Sequence, residues 1–346
     1  MSPVGITDGI LFGMGNPLLD ISAHGDQEFL DKYGLKANNA ILAEDQHMPL
    51  YDEMVSRFKV SYVAGGATQN ALRTAQWLLS RPNASTFFGC VGRDATSEKL
   101  SDAARADGVN VVYQYNDSTP TGRCAVVVTQ GGQCRSLCAH LAAANCFTAA
   151  HLEDTAHWAL VEKAHYFYVS GFFLTVSIES ILKVAQFAAK HNRVFMMNLS
   201  APFLSQFFKD QQMKAFPYVD ILFGNETEAA TFSAEQNLGT TDIKEIALKA
   251  AALPKENTKR SRMVVFTQGE LEVVVALDGK VQTFPVGKVD DVLDTNGAGD
   301  AFVGGFLAQY IQGRPLEVCV RCGVYAAQAV IQCEGCTFPE RPEFVE

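Results

Sequence analysis

Short runs of β-branched and aromatic residues alternate along this chain with longer stretches in which apolar residues recur at helical spacing. The short runs predict strands at Ile10–Gly15, Thr86–Val91, His165–Ser170, Val194–Leu199, Ile221–Asn225 and Met263–Thr267. The longer stretches predict helices at Gln69–Leu79, Ser97–Ala106, Ile178–His191 and Ile243–Leu253. Strands that alternate with helices form parallel sheets, so the pattern predicts an α/β fold with a doubly wound, mainly parallel sheet flanked by helices.

Two segments interrupt this alternation, one from Leu18 to Gly65 and one from Pro120 to Asn145. The second contains a strand-like run at Cys124–Thr129, followed by a turn at Gly131 and Gly132. We interpret the two segments, residues 18–65 and 120–145, as a small β-rich lid domain. Residues 1–17, 66–119 and 146–346 then form the large α/β domain. A lid that folds over a site excludes water from it.

Composition narrows the possible partners. The formal charge is 28 − 38 = −10, and no basic cluster is long enough to predict a nucleic-acid partner. No apolar run reaches the ~20 residues that span a bilayer, so we expect no membrane partner. Nine cysteines scattered through the chain favour reduced thiols and a cytoplasmic location, with a nuclear pool left open. We expect a monomer, because the lid would cover its own site.

The stretch from Asp294 to Phe302 carries the most chemistry. Gly297, Ala298 and Gly299 precede a predicted helix, and small residues at a helix start let an anion approach the unpaired amides. The carboxylate of Asp300 lies in the same first turn. An anion hole beside a fixed base suits phosphoryl transfer to an alcohol. The alternative is a plain turn in which glycine relieves backbone strain.

Three further positions carry a functional and an ordinary interpretation. Gly65 to Asn70 begins another helix and would bind a polyhydroxy ligand, or form a simple turn with a cap. Asp20 suits a ribose diol, or is a solvated or capping carboxylate. Arg135, in the proposed lid, would neutralise phosphate charge, or is a surface arginine.

A further alternative concerns Asn225 and Glu228, which follow a predicted strand. These side chains suit a magnesium ion held through water, since Mg²⁺ keeps several of its waters. They also suit a helix N-terminus, where the helix dipole favours acidic residues. A Walker A loop is absent from the sequence, so a phosphate site would have to be the glycine-rich turn at 297–299.

Together these residues resemble the ribokinase-like family of carbohydrate and nucleoside kinases. Its two signatures, Gly-Gly-x-x-x-Asn and Asp-Thr-x-Gly-Ala-Gly-Asp, stand here at 65–70 and 294–300. The resemblance covers nearly the whole chain and is strongest to the members that phosphorylate adenosine. Further matches are Ser-Gly-Phe-Phe-Leu-Thr-Val-Ser at 170–177, Asn-Leu-Ser-Ala-Pro-Phe at 198–203, Phe-Gly-Asn-Glu-Thr-Glu at 223–228 and Gly-Cys-Thr-Phe-Pro at 335–339.

The resemblance implies a ribokinase-like fold and phosphorylation of the adenosine 5′-hydroxyl, with ATP as donor and Mg²⁺ as cofactor, giving AMP and ADP in purine salvage. It makes Asp300 the base, the amides of residues 297–299 the anion hole and Arg135 the γ-phosphate ligand. For the substrate it implies the polar positions Asn16, Asp20, Gly65, Gly66, Asn70 and Asn296, and the apolar positions Leu18, Cys124, Leu137, Ala139, Phe172, Phe173 and Phe203. For the nucleotide it implies Asn225, Glu228, Thr267, Gly269, Asn296, Gly297 and Gly299, with Asn225 and Glu228 holding magnesium through water.

The apolar character of the lid favours a nucleoside over a free sugar. The side chains of Leu137, Ala139 and Leu141 offer no hydrogen bonds, and sugar hydroxyls left unpaired there would cost binding energy. Two rival functions are a kinase for another nucleoside or a sugar, and a nucleoside-binding regulator that has lost catalysis. The intact Asp300 and the unbroken glycine turn favour the enzyme.

Overall fold

The computed structural model describes residues 5–345, which form two β-sheets and the helices that cover them. The strands are β1 (Leu11–Met14), β2 (Leu18–His24), β3 (Ala40–Leu42), β4 (Val60–Gly65), β5 (Ser85–Gly92), β6 (Asn110–Asn116), β7 (Arg123–Thr129), β8 (Cys134–His140), β9 (Tyr166–Ser170), β10 (Val194–Asn198), β11 (Ile221–Asn225), β12 (Met263–Gln268), β13 (Leu271–Leu277) and β14 (Lys280–Phe284). The α-helices are α1 (Gln27–Lys32), α2 (Met48–Arg57), α3 (Ala67–Leu79), α4 (Ala95–Ala106), α5 (Thr155–Lys163), α6 (Ile178–Lys190), α7 (Pro202–Phe207), α8 (Lys209–Ala215), α9 (Glu226–Glu235), α10 (Ile243–Ala252), α11 (Ala298–Tyr310) and α12 (Leu316–Val330).

The larger sheet has nine strands in the order β14-β13-β12-β11-β10-β9-β1-β5-β6. Neighbours from β6 to β12 are parallel, whereas β12–β13 and β13–β14 are antiparallel. The predicted α/β fold is therefore confirmed, and each predicted strand lies within one residue of an observed one. The sequence patterns missed β6 and the β13–β14 hairpin. The edge strands β6 and β14 are partly exposed and give a weaker apolar signal, and the interior strand β13 has a buried run of only four residues.

Both faces of the larger sheet are buried, which explains why its central strands read as continuous apolar runs. One face packs against α3, α11 and α12, and the other against α6, α9 and α10. Helices α3 and α11 are in close backbone contact, because a Cβ on Gly304 would lie 2.4 Å from the carbonyl oxygen of Ala71. This close approach sets the N-termini of α3 and α11 side by side. Within residues 5–345, none of the helices combines the length and apolar character that a bilayer crossing requires.

The smaller sheet has five strands in the order β3-β8-β7-β2-β4. On one of its faces, Ala125 and Val127 pack against apolar side chains of α1 and α2. On the other face, Leu18, Cys124 and Val126 form a separate apolar cluster. All five strands fall within the segments interpreted as a lid, and the domain boundaries themselves stay a prediction. The sheet therefore has one helix-covered face and one face that carries candidate site residues.

Candidate active site

The glycine-rich turn forms the start of α11, as the sequence predicts. Gly297 is the N-cap in the left-handed region, at φ +78°, and a Cβ there would lie 2.8 Å from the Cβ of Cys336. Asp294 holds the turn in place, accepting hydrogen bonds from the amides of Asn296 at 2.7 Å and Gly335 at 3.0 Å. A Cβ on Gly299 would meet no atom of the described chain within 4 Å. The first turn of α11 thus borders open space at Gly299, although the amide of Ala298 donates to the carbonyl of Thr295 at 3.3 Å. Amides at a helix start are suited to an anion.

Asp300 lies in that first turn and is half-buried. Its Oδ2 accepts a hydrogen bond from Nδ2 of Asn70 at 3.1 Å, which joins α11 to α3. Burial raises the pKa of Asp300 to about 7, while the Asn70 hydrogen bond and the charge of Arg135 act in the opposite direction. A carboxylate with this pKa holds a proton more readily than an ordinary aspartate, which suits a general base.

Two buried amide oxygens near the start of α3 have no hydrogen-bond partner among residues 5–345. Gly66 is the N-cap at φ +99°, and a Cβ there would lie 2.1 Å from the carbonyl oxygen of Asn16. The side-chain Oδ1 atoms of Asn16 and Asn70 are buried and accept no hydrogen bond from residues 5–345. Buried polar atoms are seldom left unpaired, so these two acceptors are suited to ligand hydroxyls.

Asp20 connects the smaller sheet to the turn before α11. Its Oδ2 accepts a hydrogen bond from Nδ2 of Asn296 at 3.2 Å. The carboxylate lies against Gly65, where a Cβ would come within 2.2 Å of Oδ1. Burial, together with the nearby charges of Asp300 and Asp294, raises the pKa of Asp20 to about 7. Asp20 is therefore a buried carboxylate in the same electrostatic environment as Asp300.

Arg135 lies on β8 and is half-buried. It forms no ion pair within 4 Å with residues 5–345, and its Nε has no hydrogen-bond partner among them. Burial raises the pKa of both Asp300 and Glu228, and the positive charge of Arg135 acts against each shift. The structure thus brings this guanidinium near the candidate base and leaves it available for a ligand.

The turn between β7 and β8 closes against the loop that leads to α11. Gly132 adopts φ +97°, and a Cβ there would lie 2.4 Å from the carbonyl oxygen of Leu293. In the same turn Gly131 has φ +65°, but a Cβ on it would meet no described atom within 4 Å. The β7–β8 turn of the smaller sheet therefore contacts the loop before α11 at Gly132.

Asn225 and Glu228 form a capping box at the start of α9. The side chain of Asn225 accepts from the Glu228 amide at 2.8 Å, and Glu228 accepts from the Asn225 amide at 3.0 Å. These two residues thus cap the N-terminus of α9, which is the ordinary interpretation of this sequence. Within residues 5–345, no group of three or more His, Cys, Asp or Glu residues is placed to hold a metal ion. This donor set fits magnesium only through water and phosphate oxygens.

The nucleotide positions predicted on β12 lie at the same sheet edge. Thr267 is the register partner of Asn225 in the β11–β12 pair, and its hydroxyl donates to the carbonyl of Gly224 at 3.5 Å. Gly269 follows β12 in the left-handed region, at φ +59°, with open space where a Cβ would stand. Both residues therefore lie at the carboxyl edge of the sheet, where ligands of such folds bind.

Most of the predicted apolar positions gather on the open face of the smaller sheet. Leu18 and Cys124 are buried there, with Leu137 and Ala139 packed at their edge. From the segments that follow β9 and β10, the half-buried rings of Phe172 and Phe203 have centroids 6.3 Å apart. Phe173 instead lies fully buried in the core of the larger domain. The structure therefore separates Phe173 from the other apolar positions.

Comparison with known proteins assigns the family. The model of the pfkB family carbohydrate kinases matches residues 27–343. Adenosine kinase 1 of Arabidopsis thaliana is 56% identical over 339 residues, covering 97% of this chain and 98% of that protein. The chain belongs to the pfkB family. Its similarity to adenosine kinases extends over nearly the whole length.

Solved structures of pfkB family members agree with this assignment. The crystal structure of Anopheles gambiae adenosine kinase in complex with P1,P4-di(adenosine-5) tetraphosphate has a TM-score of 0.95 and 54% identity, covering 98% of this chain and 100% of that one. The Schistosoma mansoni adenosine kinase in complex with 2-fluoroadenosine has a TM-score of 0.93 and 36% identity, covering 97% and 99%. The ribokinase-like fold expected from the sequence is thereby confirmed.

Two residues beside this candidate site have contacts that the sequence alone did not indicate. Arg73 is buried on α3, and its charge acts to lower the raised pKa of Asp20. Cys336 is fully buried behind Gly297. The stretch at 335–339 was noticed only as a match to relatives, because a residue that supports a turn from behind has no local pattern. An arginine among the apolar positions of α3 was the one available signal for Arg73.

Proposed function

We propose that this chain is an adenosine kinase that transfers the γ-phosphoryl group of ATP to the 5′-hydroxyl of adenosine, giving AMP and ADP. The observation that carries the proposal is Asp300, held by Asn70 in the first turn of a glycine-led helix that opens onto free space. The full-length similarity to adenosine kinases of other organisms supports the choice of acceptor. This activity belongs to purine salvage.

Asp300 is the proposed general base. As the 5′-oxygen bonds to the γ-phosphorus, the bond from phosphorus to the bridging oxygen of ADP breaks, and the hydroxyl proton passes to the Asp300 carboxylate. Because burial raises its pKa to about 7, Asp300 can accept that proton near neutral pH. The hydrogen bond from Asn70 restricts the carboxylate orientation before the acceptor arrives.

The transferred group would lie on the amides of residues 297–299. An open helix N-terminus stabilises the charge on the phosphoryl oxygens without reorganising during the reaction. Arg135 would approach the same oxygens from the smaller sheet, since it lies near Asp300 and makes no ion pair within residues 5–345. The amides and the guanidinium therefore act on the charge that moves during transfer.

The nucleoside would lie between the two sheets. Asp20 would accept hydrogen bonds from the two ribose hydroxyls, helped by the unpaired Oδ1 atoms of Asn16 and Asn70. Gly65 and Gly66 allow the ligand to approach the backbone. An adenine ring would lie against apolar side chains from both sheets, namely Leu18, Cys124, Leu137, Ala139, Phe172 and Phe203. We leave Phe173 out of this set because it is buried in the core.

ATP would extend along the carboxyl edge of the sheet, past Asn225, Thr267 and Gly269, with Asn296 beside its phosphates. Magnesium, when bound, would supply positive charge that neutralises the phosphates. Glu228 would hold it through water, because both carboxylate oxygens already accept hydrogen bonds from Asn225. We further propose that the chain acts as a cytoplasmic monomer.

The proposal is tested with a panel of acceptors. The purified chain is incubated with Mg-ATP and adenosine, inosine, guanosine, ribose or fructose, and ADP and the phosphorylated product are measured separately. We expect adenosine to have the highest kcat/KM and AMP to form in a 1:1 ratio with ADP. A preference for ribose would contradict the apolar pocket. Binding of adenosine without formation of AMP would instead favour a regulator.

A further inference from the structure

Arg73 connects three segments of the chain beneath the proposed site. It lies on α3 and is only 5% exposed. Its Nε pairs with Oδ2 of Asp107 at 2.6 Å, and one terminal nitrogen donates to the carbonyl oxygens of Ala64 at 3.0 Å and Cys336 at 3.3 Å. Its guanidinium also lies 5.4 Å from the ring centroid of Phe338. Two of these partners belong to segments that themselves support the site.

The carbonyl of Ala64 belongs to the end of β4, next to the proposed ribose-binding carboxylate. Ala64 is the register partner of Leu19, and the following residue, Gly65, lies directly against the carboxylate of Asp20. The position of Gly65 therefore limits where the carboxylate of Asp20 can lie. The contact from Arg73 reaches the backbone one residue before Gly65.

The carbonyl of Cys336 belongs to the segment behind the phosphate site. Cys336 packs against Gly297, the N-cap of α11, and its neighbour Gly335 donates its amide to Asp294. Asp294 in turn accepts the amide of Asn296. This segment thus fixes the turn whose amides would receive the γ-phosphoryl group. The same guanidinium nitrogen that contacts Ala64 also contacts Cys336.

We propose that Arg73 is a positioning residue that fixes the distance between the ribose-binding carboxylate and the phosphate-binding turn. This inference rests on the proposed function, because those two groups then hold the two ends of the reacting pair. A planar guanidinium can donate to several acceptors in a fixed geometry, whereas a lysine ammonium cannot reproduce the fork. A small displacement of a bound reactant is enough to slow phosphoryl transfer strongly.

Arg73 also acts on Asp20 through its charge. Burial raises the pKa of Asp20 to about 7, and the positive charge of Arg73 works against that increase. Removal of the charge would therefore keep Asp20 protonated to higher pH. A merely structural arginine would not change the pH dependence of adenosine binding.

The experiment compares Arg73→Met, Arg73→Lys and the matched control Asp107→Asn. The control removes the charged partner of Nε but leaves both carbonyl contacts. Adenosine KM, kcat and the pH dependence of adenosine binding are measured on folded protein at a temperature below each variant's melting transition. Hydrogen exchange of peptides covering residues 62–72 and 331–340 is followed without ligand.

We expect Arg73→Met to lower kcat/KM for adenosine by ~10-fold or more, and to move the acid limb of adenosine binding to higher pH. Exchange in both peptides should accelerate together. Arg73→Lys should show the wild-type pH dependence of adenosine binding, because it keeps the positive charge. It should not recover the full kcat, because a lysine ammonium cannot donate to the two carbonyls in the geometry of the guanidinium. Asp107→Asn should retain kcat/KM within ~3-fold.

The inference fails if Arg73→Met and Asp107→Asn lower only the melting temperature, to a similar extent, and keep wild-type kinetics. It also fails if the two peptides exchange independently in Arg73→Met. If wild-type protein does not phosphorylate adenosine, the proposed function fails instead, and the exchange experiment still reports whether Arg73 couples the two segments.

Discussion

At the scale of single residues, the candidate site contains two carboxyl groups, the buried Asp20 and the half-buried Asp300, each held by an amide side chain. Asn70 binds Asp300 and Asn296 binds Asp20. Burial raises the pKa of both carboxyl groups to about 7. Carboxyl groups with strongly raised pKa values are found mainly at functional sites, where the shifted pKa serves the chemistry. The residue-scale predictions therefore concern proton transfer.

Asp300→Ala should lower kcat by ~10²-fold or more, the usual scale for loss of a general base. Adenosine affinity should change little, because the ribose ligands remain. The measurement is steady-state kinetics together with adenosine titration in the absence of ATP. Asp291→Ala, which removes an exposed carboxyl from the preceding loop, is the control and should behave as wild type. Turnover near wild type in Asp300→Ala would place the base elsewhere.

The rate should also depend on pH through the base. Only the ionised form of Asp300 accepts a proton, and burial raises its pKa to about 7. The value of kcat/KM should therefore fall as the pH drops below about 7, by roughly tenfold per pH unit from Asp300 alone and more steeply where protonation of Asp20 also weakens adenosine binding, and level off above it. Because Asp20 titrates in the same range, the profile is repeated in Asp20→Asn. The acid limb should persist in that variant, and its disappearance would assign the limb to Asp20.

At the scale of elements, glycines decide how closely the parts of the site approach. Gly304 lets α3 and α11 pack with backbone contact, and this brings Asn70 to Asp300. Gly132 lets the β7–β8 turn touch the loop before α11. In both places a side chain would occupy space that the neighbouring backbone already fills. The β7–β8 turn offers the sharper test, because Gly131 in the same turn serves as a control for Gly132.

Gly132→Ala should lower kcat/KM by ~10-fold or more, because the new methyl group would meet the carbonyl oxygen of Leu293 and hold the turn away. Gly131→Ala carries the same kind of positive-φ strain, ~1 kcal/mol, but meets no described atom within 4 Å. Kinetics of both variants are measured with adenosine and Mg-ATP. Equal losses in the two variants would mean that backbone strain, not contact with Leu293, is responsible.

At the scale of the whole molecule, the candidate site lies where the two sheets meet. Keeping an ionised carboxylate buried there lowers the free energy of unfolding of the whole protein. Asp20 comes from the smaller sheet and Asn296 from the turn before α11. A carboxyl group whose pKa is raised in the folded state binds protons more tightly there than in the unfolded chain. Its contribution to stability therefore declines as pH rises from about 4 to about 7.

Asp20→Asn should raise the free energy of unfolding at pH 8, by up to about 4 kcal/mol, because the buried charge is removed while an amide oxygen can still accept from Asn296. The gain should be smaller at pH 5, where much of the cost is absent. Adenosine binding should weaken strongly. Urea unfolding and adenosine titration are compared with Asp52→Asn, an exposed carboxyl on α2. Lower stability with unchanged binding would contradict a ribose-binding role.

Much of the larger sheet follows from local sequence patterns. Its buried strands and main helices were predicted to within one or two residues, because apolar periodicity is a property of a few neighbouring residues. The β13–β14 hairpin was missed, since the edge strand β14 is partly exposed and β13 has a buried run of only four residues. The start of α11 was predicted because small residues before a helix have a local physical meaning.

The sequence by itself determined the order of elements, the glycine-led helix and the candidate side chains, since each depends on nearby residues. Only the tertiary structure decided which side chains meet. The Asn70–Asp300 and Asn296–Asp20 hydrogen bonds join residues 230 and 276 positions apart. Burial, which sets the pKa of both carboxyl groups, also depends on the whole packed chain. The same packing revealed Arg73, whose partners come from opposite ends of the sequence.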